Sequence, residues 1–330
     1  MSRIPVVVIG RNEGERLARC LASIALAGAR AVYVDSGSTD GSCELAARAG
    51  ADVVPLDPRR PFSAARARNE GFARALALQP ELELVQFLDG DCELAPRWLA
   101  DGERALRERS RVAAVCGRVR ERHRERTIYN RLCDLEWDVP AGEARSCGGN
   151  AMMRGSAFRE AGGFDPALVA GEEPELCVRL RGAGWRILRL PAEMATHDAA
   201  MSRFGQWWRR AVRCGWAYAE GAALHGAPPE RHWVKERRSA LVWGLLLPLA
   251  TLLLTFTVHG AFAAALGAYP LLGLRVYRWA SRRGVARRDA LLLGAFVVLA
   301  KFPESLGVAQ FLALRGLGRR RRVFDWRVSG

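Results

Sequence analysis

The chain has 330 residues, half of them hydrophobic and 26% charged, enough to bury one large core or two modest ones and too apolar for a disordered chain. Its net charge of +15 is uneven: residues 231–330 hold 17 basic and 4 acidic side chains, so the excess lies in an apolar C-terminal part, where it suits anionic lipid and not nucleic acid. Eight cysteines form no C-x-x-C pair, which excludes zinc-module spacing, and the opening residues lack a signal-peptide pattern; both point to a cytosolic body with reduced cysteines.

In chain order, residues 5–9 form a short β-branched run ending at Gly10, the pattern of a buried parallel strand. Residues 13–26 have helical spacing, with Leu17, Leu21 and Ile24 on one face. Strands are expected at 31–34, 52–54 and 84–88, with helices at 42–49 and 63–78 between them and a turn-rich stretch at 35–41. A further strand is expected at 185–190. This alternation predicts an α/β fold, a mainly parallel sheet with helices on both faces, filling a domain of residues 1–230.

Residues 231–330 read as a membrane-associated helical region. From Ser239 to Leu274 there is no charged side chain apart from a possible proton on His259. That is too long for one crossing of about 20 residues and barely enough for two. A hairpin over about 240–274, turning at His259-Gly260, leaves Arg237-Arg238 and Arg275 onward on one side, which the positive-inside rule makes cytoplasmic. Residues 290–314, interrupted by Lys301, Pro303 and Glu304, are expected as an interfacial or re-entrant helix pair, with Arg319–Arg322 at the lipid head groups.

Ligands of open α/β sheets bind beyond the carboxyl ends of strands. Asp35 and Asp40 follow the second strand, and Asp89-Gly90-Asp91 follows the fourth. Two carboxylates separated by a glycine can turn toward one ligand, and hard oxygen donors suit Mg2+ or Mn2+. A departing diphosphate needs such an ion because its charge grows as the bond breaks.

An ordered set of motifs extends this reading. It comprises Val-Val-Ile-Gly-Arg-Asn-Glu (7–13), Val-Asp-Ser-Gly-Ser-Thr-Asp-Gly-Ser (34–42), Ala-Arg-Asn-Glu-Gly (67–71) and Phe-Leu-Asp-Gly-Asp (87–91). Later come Gly-Gly-Asn-Ala-Met-Met-Arg (148–154), Gly-Gly-Phe-Asp (162–165) and Gly-Glu-Glu-Pro-Glu-Leu-Cys-Val-Arg-Leu (171–180). Over about residues 4–210 the chain resembles a family 2 glycosyltransferase with the GT-A fold. The resemblance implies that Asp35 bonds the nucleobase, that Asn12, Glu13 and Asp40 line the nucleotide pocket, and that Arg68 and Asn69 belong to the donor side. It places Asp89 on the donor's sugar or ribose and Asp91 on the metal. His197 is a candidate further metal ligand or phosphate contact.

The resemblance puts the general base at Glu173. Family members usually show Glu-Asp where this chain has Glu172-Glu173, so both carboxylates are candidates. Pro174 suits the first position of a helix, which would set Glu173 at its positive end. Gln206-Trp207-Trp208-Arg209-Arg210 resembles the Q-x-x-R-W motif of processive synthases, with Arg210 in place of the last tryptophan; Gln206, Trp207 and Arg209 are expected on the acceptor side or at the membrane interface.

The function implied is an inverting transfer from a UDP-, GDP- or dTDP-sugar to a lipid-linked or glycan acceptor, at the cytoplasmic face of a bacterial inner membrane. A non-catalytic nucleotide-sugar-binding subunit of an envelope assembly complex is the alternative. A nucleotidyltransferase would carry a glycine- and lysine-rich loop where this chain has Gly10-Arg11-Asn12-Glu13, and a dinucleotide oxidoreductase would carry G-x-G-x-x-G there.

Overall fold

The computed structural model describes residues 4–318; the expected head-group arginines Arg319–Arg322 lie outside them. Strands β1 (Val6–Gly10), β2 (Ala31–Asp35), β3 (Asp52–Pro55) and β4 (Leu84–Asp89) run parallel in the order β3-β2-β1-β4. They are linked by helices α1 (Glu15–Leu26), α2 (Ser42–Arg48) and α3 (Ala64–Leu78). Val6, Val7 and Val8 are fully buried, as expected of a central strand covered on both faces. Helix α1 buries Leu17, Cys20, Leu21 and Ile24 along one stripe. Helix α3 reaches β1 through Gly71, where a Cβ would stand 2.3 Å from a Val7 methyl.

The second half of the sheet is mixed. It is built from β5 (Cys92–Leu94), α4 (Trp98–Glu108), β6 (Val112–Glu121), α5 (Ile128–Trp137), β7 (Gly142–Glu143), β8 (Ala151–Arg154), α6 (Gly155–Glu160), α7 (Glu172–Gly182) and β9 (Arg186–His197). The order continues β4-β8-β6-β9-β5, with β7 on the flank of β9. Strand β8 is antiparallel to both β4 and β6, while β6 and β9 are parallel.

Two local details depart from expectation. Strand β9 runs on to His197 instead of ending near 190, because the pairing with β6 shifts around Pro191 and then resumes; a bulge accommodates a residue that cannot donate to the ladder. Helix α7 begins at Glu172 after Gly171 (φ 83°), so Pro174 is its third residue, not its first. The position is still tolerated, since the first four helical N–H groups have no partner within the helix.

Beyond β9, α8 (Phe204–His225) leads to the apolar part. Helix α9 (Val234–Leu241), a π turn over Val242–Leu246 and α10 (Leu247–Thr257) join into one helix, Val234–Thr257, of 24 residues, within which an 18-residue stretch reaches a mean hydropathy of 2.0. A 3-10 segment (Gly260–Gly267) and α11 (Ala268–Arg282) return from a turn at His259, whose Nδ1 accepts from the Ala261 amide. Residues 290–314 are not a helix pair. They belong to a single helix, α12 (Arg287–Gly316), 30 residues long, within which an 18-residue stretch reaches a mean hydropathy of 1.7. Lys301 and Glu304 neutralise each other at 2.7 Å one turn apart, and Pro303 costs the helix only a local hydrogen bond. By length and composition both long helices could cross a bilayer.

Helix α12 lies directly on α8. A Cβ on Gly215 would meet the Glu304 carbonyl at 1.9 Å, and one on Gly307 the Val212 carbonyl at 2.0 Å. The two backbones touch, as small residues allow in membrane helix pairs. At the other end of α12, buried Asp289 accepts from Arg124 at 2.6 Å and pairs with Arg131 at 2.8 Å, tying the helix to the sheet domain.

Candidate active site

The strand register sets the site. Gly10 is paired with Asp35 and Ile9 with Asp89, so the ends of β1, β2 and β4 stand at one level. The loops beyond them are pinned by their own polar residues. Asn12, at φ 54°, donates its amide to Ser38 Oγ and accepts from the Thr39 amide at 2.7 Å. Glu13 is buried and pairs with Arg16 at 2.8 Å. Asp40 accepts from the Gly14 amide and from both the amide and hydroxyl of Ser42, joining the first loop to the start of α2. Partial burial works against ionisation of Asp40, but these bonds hold its carboxyl below the usual range.

Asp35 is 3% exposed and takes four donors: the Gly37 and Ser38 amides on one oxygen, and the Tyr33 and Ser38 hydroxyls on the other. These four bonds make the carboxylate the anchor of the loop after β2. Asn69 turns away from the donor side, closing a reciprocal pair of hydrogen bonds with the Phe164 backbone at 2.7 and 2.9 Å.

Arg68 joins the two halves of the site. Buried to 3% exposure, it donates to Asp89 at 2.7 Å and to Glu172 at 2.8 Å. Gly149 makes room for it, since a Cβ there would lie 2.4 Å from Arg68 Nη2 and 3.3 Å from Asp89 Oδ2. Asn150 accepts from the Asp89 amide at 2.7 Å and so holds the loop after β4.

Asp91 faces His197, with Oδ2 and Nε2 3.5 Å apart. The approach follows from pairing: His197 is opposite Cys92 in β5 and opposite Glu121 in β6. Glu121 lies 3.5 Å from His197 Nδ1 and is itself held by Asn130 and the Ala199 amide. Trp137 packs edgewise on the imidazole at 4.7 Å. Burial disfavours the charged ring, but Asp91, and then Glu121, outweigh it and raise its pKa. Two ligands on one ion with bonds of about 2.1 Å stand about 3 Å apart, so Asp91 and His197 need only a small closure to hold Mg2+ or Mn2+. Cys92 is adjacent, but burial first, then Asp91, pushes its thiol well above the ordinary value, and its sulfur accepts from Asn150.

The two glutamates at the start of α7 part company. Glu172 points to Arg68 and stays partly exposed. Glu173 is 4% exposed and points inward, where Oε1 accepts from the Cys147 amide at 2.6 Å and from the thiols of Cys147 and Cys177 at 3.1 and 2.9 Å. Burial pushes Cys177 up to about 12, so it remains a donor. The residues expected on the acceptor side or at the membrane interface lie in the first turns of α8. Gln206 accepts from the Ser202 and Arg203 amides and caps α8, Trp207 is buried against Phe296 of α12, and Arg209 is exposed. A tryptophan and a glutamine in a helix's first turn serve packing and capping before they serve a ligand. Glu121, Trp137, Asn150 and Cys147 carry no spacing signal of their own. Only Asn150 sits within a motif read from the sequence.

A parallel nucleotide-binding half-sheet, an antiparallel β8 beside it, and an acid pair after β4 facing a histidine from β9 define the GT-A class of fold. The family models described as glycosyl transferase family 2 and glycosyl transferase family group 2 match residues 6–160 and 84–280, and the chain belongs to the family 2 glycosyltransferases. Among curated proteins it resembles the pre-mycofactocin glycosyltransferase of Mycobacterium tuberculosis, 28% identical over 239 residues, which is 67% of this chain and 48% of the relative. The chain therefore spans about half the length of the curated relatives it matches. Among solved structures it is similar to the mannosyltransferase PcManGT from Pyrobaculum calidifontis in complex with GDP-Man and Mn2+, with TM-score 0.61, 21% identity, and coverage of 90% of this chain and 87% of that one. It is also similar to S. aureus TarS 1-349, with TM-score 0.50, 15% identity, and coverage of 96% and 92%. At these identities the likeness concerns the fold.

Proposed function

We propose that this chain is an inverting glycosyltransferase that moves a sugar from a nucleoside-diphosphate donor to an acceptor hydroxyl on a lipid-linked or glycan acceptor, at the cytoplasmic face of a bacterial inner membrane. The observation that carries the reading is the meeting of Asp89, Asp91, His197 and Glu172 at one edge of the sheet, with Arg68 between Asp89 and Glu172. Asp91 and His197 would hold Mg2+ or Mn2+, which supplies charge compensation to a departing diphosphate. A mixed oxygen and nitrogen pair is softer than an all-oxygen set and favours Mn2+ of the two.

Glu172 is the base in this reading. It is the more exposed glutamate of the pair at the start of α7, and through Arg68 it lies beside Asp89, the carboxylate proposed to face the sugar; a carboxylate there can take the proton of an incoming hydroxyl. A single carboxylate acting on one incoming hydroxyl gives one displacement and inversion at the sugar carbon. Glu173 is 4% exposed, and its Oε1 is taken up under the helix by two thiols and an amide, which ties this carboxylate to the start of α7. Exposed Leu249, Leu252, Leu253 and Phe256 on α10, with the basic flanks, support membrane attachment.

The test is a panel of UDP-, GDP- and dTDP-sugars scored for metal-dependent release of nucleoside diphosphate by the full chain. Release with one donor class, abolished by Asp91→Ala, supports the proposal. Absence of donor and metal binding alike removes it.

A further inference from the structure

The N-terminal turn of α12 and the N-terminal turn of α5 enclose a groove of about 460 Å3 lined by Ile128, Arg131, Arg287, Arg288, Leu291 and Leu292. Its two ends differ in chemistry. Arg131 is committed to Asp289 and Glu125, whereas Arg287 and Arg288 are exposed and have no ion pair among the described residues. Below them Ile128 and Leu291 are 43% and 54% exposed, large apolar side chains left uncovered beside two cations. A polar anion with a hydrocarbon tail satisfies both ends at once; a soluble anion leaves the leucines wet, and an uncharged chain leaves the arginines unmatched.

The groove also lies where such a ligand is found. Arg287 and Arg288 open the apolar run of α12, and at the adjoining end of α11 Trp279 is half exposed with Arg283 over its ring at 4.7 Å. Arginines and a tryptophan at the ends of two apolar helices mark the boundary between water and lipid. The groove volume is at the low end of the range of about 300–1,000 Å3 for ligand pockets, room for part of one chain and not for two. Helix α5 forms the second wall, and its far end carries Trp137, the residue packed on His197. At a rise of about 1.5 Å per residue, Ile128 and Trp137 are about 13 Å apart along the helix.

We infer that this groove binds the phosphate of a single-chain lipid phosphate, with Arg287 and Arg288 on the phosphate and the chain along Ile128, Leu291 and Leu292, and that it is the docking site of a lipid-borne acceptor whose head extends along α5 to the metal site. The acceptor assignment rests on the proposed transfer; the binding does not.

The test therefore reads binding without donor. Full-length protein in detergent is mixed with phosphatidylcholine vesicles containing hexadecyl phosphate, or the same mole fraction of phosphatidylglycerol, and the bound fraction is measured by sedimentation. The wild type is expected to prefer hexadecyl phosphate vesicles. Arg287→Ala/Arg288→Ala should lose that preference, by about tenfold or more in apparent affinity, while Arg282→Ala/Arg283→Ala, which removes equal charge at the same level outside the groove, should keep it. Equal binding to both vesicles, or equal loss in the two double variants, would show general attraction to an anionic surface and overturn the proposal. Both pairs are exposed, so the fold should survive, and donor hydrolysis measured in parallel reports separately on the transfer reaction.

Discussion

Arg68 and Glu172 are 104 positions apart in the chain and meet at 2.8 Å, and the same guanidinium reaches Asp89 at 2.7 Å. One buried cation thus fixes the distance between the loop after β4 and the first turn of α7. Removing it would leave two carboxylates facing each other without their shared counter-charge. Arg68→Ala should lower unfolding free energy by about 3 kcal/mol and abolish transfer, because breaking a buried pair strands the remaining charge. Arg68→Lys keeps the charge but cannot bond both acids through one planar fork, so it should recover stability more than activity. Denaturant titration alongside turnover separates the two effects.

The two glutamates of α7 give opposite expectations. Glu172→Gln should cut turnover by about 10²- to 10⁴-fold with donor affinity little changed, the loss typical of a missing general base. Glu173→Gln, whose carbonyl oxygen can take the Oε1 position and keep the same three donors, should cost only about 1 kcal/mol of stability through weaker, uncharged hydrogen bonds, while turnover largely survives in the folded fraction. The reverse pattern would return the base to Glu173.

Glu121 does not reach the metal position but orients the ring of His197. Glu121→Gln is expected to weaken Mn2+ binding by about 10- to 100-fold, as loss of an outer partner of a ligating histidine does. Titration of nucleotide-dependent Mn2+ binding measures it, and an unchanged metal affinity would remove His197 from the ligand set.

Gly149→Ala places a methyl group against the Arg68 guanidinium, which is held on two sides. An overpacking cost of about 1–3 kcal/mol is expected, with activity falling further than stability because Asp89 and Glu172 lose their common anchor. Thermal unfolding and turnover of the same sample decide it.

His232, stacked on Trp233 at the entry to α9, has its pKa lowered to about 4, by burial first and then by His225 and Arg181. The unfolded chain, with a histidine near 6.5, then binds more protons than the folded one between about pH 6.5 and 4. Its contribution is complete above that window and is lost as pH falls through it, by up to about 3 kcal/mol. Urea unfolding at pH 7 and pH 5 should show a smaller drop for His232→Gln than for the wild type.

The parallel half of the sheet was readable because its strands are continuous apolar runs between loop acids, and a buried strand leaves that mark whatever surrounds it. The positions of Asp89 and Asp91 were readable for a related reason, since residues at or just past a strand end inherit a position from the sheet; His197 closes β9, which runs on beyond the strand expected at 185–190. The directions of side chains were not readable. Whether Glu172 or Glu173 faces outward depends on the rotation of α7, which starts one residue after Gly171, and on thiols from Cys147 and Cys177 that no local pattern associates with it. Asp35, at the end of β2, and Asn69, within α3, hold parts of the fold together through bonds that no local pattern announces. Helix α12 was divided at Lys301 and Glu304 because each alone breaks an apolar run; only as an ion pair do they permit one continuous helix.

The contact through Gly215 and Gly307 leaves α8 and α12 no side-chain cushion on which to slide. The sheet edge is consequently held at a constant height relative to the end of the apolar helix, with no swivel between them. In the proposed transfer such a molecule would measure as well as bind: an acceptor would be reached only when its hydroxyl stands at the reach of Glu172, so the length of the acceptor's head would become a criterion of choice alongside its chemistry.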